Sequence, residues 1–215
     1  MNATRLLIVD DHMIIRRGLI QILAENPAVE VAGEAADGAA AMRVLRQRPV
    51  DVVLLDIALG ERDGLDVLRT IRSEFPRVAV IMLSVYPESQ FALRALRGGA
   101  AAYLNKGASP DELSAAIARV AGGALYITAE VAELMMRDLR HDVEKSPHEA
   151  LSNREFQVLQ LLAQGHAVGE IAAQLSLSAN TISTYRARIF DKLGLRTSVD
   201  VVAYAARHQL VRLGA

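Results

Sequence analysis

Short apolar runs recur along the first half of the chain, at residues 6–9, 29–32, 52–55, 78–83 and 100–104. β-Branched side chains dominate the middle three, and none of the runs alternates cleanly with polar residues. Continuous runs of this kind suit strands buried on both faces of a parallel sheet. The stretches between them carry apolar residues at helical spacing, as Leu65, Leu68 and Ile71 do around Arg69 and Arg72. Strand and helix alternate through roughly the first 120 residues, which predicts a doubly wound α/β domain on a five-stranded parallel sheet.

The pattern changes at Thr128, beyond which only helical periodicity and helix punctuation remain. Residues 137–147 are polar and charged and close on Ser146-Pro147, which reads as the end of a linker helix and a hinge. Ser152-Asn153-Arg154-Glu155 has capping-box spacing, so a helix is expected from there to Gln164, ended by Gly165. Ser109-Pro110-Asp111-Glu112 gives the last helix of the first domain a similar start, with Pro at its first position. A short helix at 167–175 and a longer one at 179–193 are joined by Ser176-Leu177-Ser178, and a last helix covers 198–210. The expected division is a first domain at 1–122, a helical linker at 123–147 and an all-α domain at 148–215.

Composition narrows the function classes. The 215 residues include no cysteine, which excludes disulfides, Cys-ligated zinc, iron–sulfur clusters and thiol catalysis. No run approaches the length of a membrane span and residues 1–10 lack a signal-peptide pattern, so a cytoplasmic protein with no membrane partner is expected. The 24 basic and 25 acidic side chains leave a formal net charge of −1, which at first sight argues against nucleic acid. Divided at the expected boundaries, residues 1–122 carry 14 basic and 15 acidic groups, residues 123–147 carry 3 and 5, and residues 148–215 carry 7 and 5. The near-neutral total therefore conceals a mildly basic C-terminal end.

In a doubly wound sheet functional groups gather beyond the C-terminal ends of the strands. Those ends carry Asp10 and Asp11, then Asp56, then Ser84, then Lys106. Carboxylates brought together repel one another unless a cation sits among them, and hard oxygen ligands suit Mg2+. A hydroxyl and an ammonium facing the cluster complete a site for an incoming phosphoryl group. Asp56 is then the candidate nucleophile that forms an acyl phosphate. Taken singly, an Asp at a strand end is usually a cap or turn residue and a lone Lys is usually just exposed. The coincidence of all of them at successive functional strand ends favours the chemical reading.

Leu6-Leu7-Ile8-Val9-Asp10-Asp11-His12, Val53-Leu54-Leu55-Asp56, Asp63-Gly64, Met82-Leu83-Ser84 and Ala102-Tyr103-Leu104-Asn105-Lys106 stand at these strand ends and turns. Through them residues 5–122 resemble the receiver domain of response regulators, which implies a flavodoxin-like α/β fold phosphorylated by a sensor histidine kinase. The resemblance implies Asp56 as phosphoacceptor and Asp11 and Asp56 as direct Mg2+ ligands. Asp10 would act partly through water, and Ala58 would offer its backbone carbonyl. Ser84 and Tyr103 would form a switch pair, the hydroxyl moving to the phosphoryl group and the ring turning inward. Gly60 and Gly107 stand where the family commonly has proline, so the loops there are expected to be looser. Ala58 and Tyr86 flank the position of the hydrolytic water and offer it no base, so slow loss of the phosphoryl group is expected.

The two helices at 167–175 and 179–193 have helix-turn-helix spacing, whose second helix can enter the major groove. Ile182, Tyr185, Ile189 and Leu193 mark its buried side. Asn180, Thr181, Ser183, Thr184, Ala187 and Arg188 lie opposite, where short polar groups can approach base edges. Arg186, Arg188, Lys192 and Arg196 can reach phosphates. A bare helical hairpin is more often only a packing unit. Residues 151–210, however, resemble the LuxR-type four-helix domain of the NarL/FixJ class of response regulators. The matching words are Leu151-Ser152-Asn153-Arg154-Glu155, Val158-Leu159, Gly165, Glu170-Ile171-Ala172, Leu175, Thr181-Ile182-Ser183, Arg186, Ile189 and Lys192-Leu193-Gly194. That resemblance puts Ser183, Thr184 and Ala187 against bases and Thr181, Tyr185 and Arg186 at or near the backbone of double-stranded DNA. Gly169 and Ser183 replace lysines common in the family, which implies modest affinity for one copy and dependence on a homodimer formed on phosphorylation. In the last helix, Val201, Val202, Ala205 and Leu210 fit either core packing or pairing of two copies. The expected function is phosphorylation-controlled transcription regulation, not turnover. An aspartyl-phosphate phosphomonoesterase is the rival, and it lacks a second carboxylate at position 58 and a cap over the pocket. A phosphate-independent interaction module is the third reading, and intact Asp10, Asp11, Asp56, Ser84 and Lys106 argue against it.

Overall fold

Each apolar run of the first half forms a strand in the computed structural model, which describes residues 3–59, 62–140, 147–175, 177–208 and 210–211. The chain divides into two units, Met1–Arg140 and His141–Ala215. In the first, strands β1 (Thr4–Val9), β2 (Val29–Ala35), β3 (Val52–Asp56), β6 (Ala79–Ser84) and β7 (Ala102–Asn105) alternate with helices α1 (Met13–Ala24), α2 (Gly38–Gln47), α3 (Gly64–Glu74), α4 (Glu88–Arg97) and α5 (Pro110–Ala121). A two-residue hairpin of β4 (Ala58–Leu59) and β5 (Arg62–Asp63) follows β3, an element the periodicity did not announce. The strands pair in parallel in the order β2-β1-β3-β6-β7.

The doubly covered sheet follows from the runs. Leu6 and Ile8 of β1 and Val52 and Leu54 of β3 face one way, against Leu113, Ala116, Ile117 and Val120 of α5 and Leu23 of α1. Their alternates Leu7, Val9, Val53 and Leu55 are equally buried, and by the strand period of two they point to the opposite face. The expectation of burial on both faces fails at β2, whose residues are mostly half-exposed. It is an edge strand, with a neighbour only at β1. Edge β7 is protected instead, because Tyr126 bridges to Ala102 and adds one residue of pairing outside it.

Helix α6 (Ala129–Arg140) ends the first unit. The hinge expected within 137–147 falls largely on 141–146, which lie outside the described residues, as does Ser176 of the expected helix connection. In the second unit a 3-10 turn (Pro147–Ala150) precedes α7 (Asn153–Ala163), α8 (Val168–Gln174), α9 (Ala179–Leu193) and α10 (Ser198–Arg207). The capping box forms as expected: Ser152 Oγ accepts from the Glu155 amide at 3.3 Å and Glu155 accepts from the Ser152 amide at 2.7 Å. Ser178 caps α9, and Gly194 ends it with φ +66°, a left-handed conformation that glycine adopts without steric cost. Val158 and Leu159 of α7, Ile171 of α8, Ile182 and Ile189 of α9 and Val201 and Ala205 of α10 make the core. Among the described residues no helix is long and apolar enough to cross a membrane.

Candidate functional site

The sheet delivers the chemistry to one edge. Asp10 follows β1, Asp56 ends β3, Ser84 ends β6, and Lys106 follows β7. Lys106 Nζ lies 2.6 Å from Asp10 Oδ2 and 2.9 Å from Asp56 Oδ2, so one ammonium bridges carboxylates from different strands. Asp10 and Asp56 are only 1 % and 2 % exposed, while Asp11 stands at the rim. Burial pushes the Asp56 carboxyl up to about 6, although the Lys106 charge pulls it down. Burial also works against the Lys106 charge, but Asp56 and Asp10 outweigh it and raise its pKa. Ala58 opens the hairpin, and its backbone amide bonds with the Asp56 carboxylate.

Ser84 Oγ accepts from the Tyr86 amide at 3.0 Å. The Tyr103 ring lies inward and is 1 % exposed, and its hydroxyl donates to the Tyr86 carbonyl at 3.0 Å. Burial raises its phenol pKa well above the usual range. Tyr86 thus joins the two residues of the expected switch pair through its own backbone. The sequence singled it out only as a neighbour of the hydrolytic water.

Two further residues escaped sequence reasoning. His12 donates its amide to Asp10 Oδ1 at 2.8 Å and places Nδ1 2.6 Å from Asp11 Oδ1. Arg16 Nη1 donates to the Asp10 carbonyl at 2.6 Å. The signal was available: positions 12 and 16 are one helical turn apart at the start of α1. Gly64 is held for a different reason. A Cβ there would lie 2.0 Å from the Asp56 carbonyl oxygen and 2.9 Å from Ile57 Cα, so only glycine lets α3 start against the phosphoacceptor strand.

Ligand atoms of Asp10, Asp11, His12 and Asp56 all lie within 4.8 Å of one another. The spread suits a single octahedral ion, whose opposite oxygens stand about 4 Å apart. The three carboxylates supply the hard oxygen donors that Mg2+ prefers; the exposed His12 nitrogen is the softer member and already pairs with Asp11. The donor set therefore fits Mg2+.

In the second unit, Asn180, Ser183, Thr184, Ala187 and Arg188 are exposed and Thr181 and Tyr185 half-exposed along one side of α9. Asn180, Thr181, Thr184, Tyr185 and Arg188 line a shallow cavity of about 310 Å³. The buried side consists of Ile182 and Ile189, with Tyr185 and Leu193 only partly covered. Arg186 lies over the Phe190 ring at 5.2 Å, which orients its guanidinium. Lys192 is placed differently from the other candidates. Its Nζ lies 2.7 Å from Glu155 of the capping box and 3.4 Å from the Ala150 carbonyl, so its charge is engaged inside the domain.

Comparison with known proteins agrees with this geometry. The family described as "Response regulator receiver domain" matches residues 6–118, and "Bacterial regulatory proteins, luxR family" matches residues 149–205. The "Response regulator UvrY" of Escherichia coli K12 is 38% identical over 205 residues, 95% of this chain and 94% of the relative. The "Response regulator GacA" of Pseudomonas aeruginosa PAO1 is 35% identical over 208 residues, 96% and 97% of the two chains. A solved structure of RcsB from Salmonella enterica serovar Typhimurium, bound to promoter P1flhDC in the presence of the phosphomimetic BeF3−, is similar at 27% identity and TM-score 0.60, covering 94% of this chain and 98% of that one. Another RcsB structure from Salmonella typhimurium gives 26% identity and TM-score 0.64 over 96% and 98%. Signalling, not phosphomonoester turnover, is the business of this family, which removes the enzyme reading of the acidic pocket. The chain belongs to the response regulators of two-component systems, with a receiver domain followed by a luxR-family regulatory domain.

Proposed function

We propose that a sensor histidine kinase phosphorylates Asp56 and that the phosphorylated chain binds double-stranded DNA as a homodimer, through α9, to control transcription in the cytoplasm. The observation that carries the reading is Lys106, which bridges Asp10 and Asp56 at the strand ends. An Asp56 oxygen attacks phosphorus of the phosphohistidine, the P–N bond breaks, and the imidazole keeps the electron pair and takes up a proton. Lys106 turns from Asp56 towards the transferred group and offsets its charge, while the Ser84 hydroxyl donates to one of its oxygens. Asp10, Asp11, Asp56 and the Ala58 carbonyl would hold Mg2+, which supplies charge neutralisation at the phosphoryl oxygens. Tyr103 packs behind Ser84 and keeps water from that side.

On α9, Ser183, Thr184 and Ala187 face bases, and Asn180, Thr181, Tyr185, Arg186 and Arg188 position the helix on the backbone. Lys192 joins them only if it leaves Glu155. The RcsB structure on promoter DNA supports this assignment by similarity. The functional boundaries are a receiver domain at 1–122, a linker at 123–147 and a DNA-binding domain at 148–215. Asp56→Asn keeps the shape and removes the nucleophile. It is expected to abolish kinase-dependent binding in a genome-wide map made beside the wild type. Undiminished response to the kinase would overturn the reading.

A further inference from the structure

Helix α6 packs on α4 of the receiver, and two side-chain clasps stand near its ends. Just before it, the Tyr126 amide donates to the Ala101 carbonyl at 3.0 Å and ties the chain to the β7 edge. Thr128 Oγ1 accepts from the Val131 amide at 3.2 Å, so this hydroxyl caps α6. The same hydroxyl donates to Glu88 Oε2, the first residue of α4, at 2.5 Å. At the far end, Arg97, the last residue of α4, reaches both oxygens of Asp138 at 2.6 and 2.8 Å. Between these two clasps only Val131 is fully buried, with Leu134 and Asp138 half-covered on the same face. Met135 and Met136 are exposed.

The stability of α6 therefore rests on its packing against α4 and on these clasps. A helix of 12 residues is marginal in water by itself. Its capping hydroxyl is tied to the receiver by Glu88, a carboxylate whose pKa is raised by burial, in spite of the Thr128 bond, with Glu130 and Glu112 adding like charge.

The other end of α4 is wired to the phosphoacceptor pocket. The Tyr86 amide bonds Ser84, the Tyr86 carbonyl holds the Tyr103 hydroxyl, and the Tyr86 ring packs at 5.3 Å on Phe91 of α4. Glu88 follows two residues later.

We propose that α6 is a releasable strap on α4, unclasped when Asp56 is phosphorylated. The new phosphoryl oxygens recruit the Ser84 hydroxyl, and Tyr86 moves with the oxygen it is bonded to. The start of α4 follows and Glu88 leaves Thr128. Helix α6 then loses its anchor at that end, while Tyr126 remains the fixed point. The strap deepens the functional reading above and rests on Asp56 being the phosphoacceptor.

Hydrogen–deuterium exchange of the whole chain, with and without Mg2+ and BeF3−, tests it. The phosphomimetic is expected to slow exchange in the segments holding Asp56 and Ser84 and to speed exchange of residues 129–140 by about tenfold or more. Thr128→Val and Arg97→Asp are each expected to speed exchange of α6 without BeF3−, and Arg97→Asp with Asp138→Arg to restore protection. Slowed exchange at Asp56 and Ser84 with α6 unchanged overturns the strap and leaves the phosphoacceptor reading standing. Protection of α6 unaltered by Thr128→Val and Arg97→Asp overturns it as well. No response at Asp56 itself removes the phosphoacceptor reading, and the strap with it.

Discussion

Gly64 shows how a single residue carries the site without touching the phosphoryl group. Its Cβ would collide with the backbone of Asp56 and Ile57, which cannot step aside without displacing the nucleophile. Gly38 offers a contrast: a Cβ there meets Val67 Cγ2 at 2.5 Å, a side-chain tip that can rotate. Gly64→Ala is therefore expected to cost about 3 kcal/mol or more and to prevent BeF3− binding, and Gly38→Ala to cost about 1 kcal/mol with binding retained. Thermal melting and BeF3− titration of both variants check this; equal effects would refute the distinction. The strand-end groups Asp10, Asp56, Ser84 and Lys106 were legible in sequence because each sits at a fixed offset from an apolar run. The reason for Gly64 was not, because its clash is with residues of another element. His12 and Arg16 differ from Gly64 in this: their one-turn spacing was legible, but what they bond to was settled only when β1 stood beside α1.

Helix ends were read well at the scale of the element, because a cap is a contact across three residues. Ser109 and Ser152 accept from the amide three positions on, as their spacing implies, and Ser178, read only as part of the connection between helices, does the same. The ion pair of the α7 cap with Lys192 was not foreseen, since 37 residues separate its partners. Burial tends to raise the Glu155 carboxyl, but the Lys192 ammonium and the Ser152 amide more than offset it and hold it below the ordinary range. A carboxyl lowered in the folded state contributes stability that is complete above its unfolded pKa, about 4.3, and lost as pH falls through the folded value. Glu155→Gln keeps the capping geometry and removes the charge. It is expected to cost about 1 kcal/mol near neutral pH, and the gap to wild type should close on acidification. Amide exchange of residues 153–163 in the whole chain, measured from pH 7 down to about pH 3, reads the gap; a gap independent of pH would count against the pairing. The last helix also needed the fold: it ends at Arg207 rather than 210, and Val201 and Ala205 go into the core. Leu210 instead offers its carbonyl to Gln160.

For the whole molecule, the net charge of −1 averages unlike parts. The receiver needs its carboxylates, and the second unit presents Arg186, Arg188 and Arg196 at its surface. With about three phosphates neutralised per copy, the slope of log K against log salt should be roughly −3 for one copy and roughly −5 for two. Phosphorylation is expected to move the measured slope from the first value to the second, and Lys192→Ala to leave it nearly unchanged while lowering stability. A slope insensitive to phosphorylation would argue against dimer-dependent binding, and a shallower slope in Lys192→Ala would return that residue to the interface.

The order of the five sheet strands and their helices, the helix caps at Ser109 and Ser152 and the identity of the groups at the strand ends are all legible in the chain. Each of these is set by neighbours within a few residues or by a period of two or 3.6. The folded chain alone shows that β2 is a half-exposed edge, that Lys106 spans two carboxylates, that Lys192 is drawn to Glu155 and that α6 lies along α4. Those outcomes depend on which distant segments meet, and that is fixed by burying both faces of one sheet and the common core of four helices, not by any local pattern.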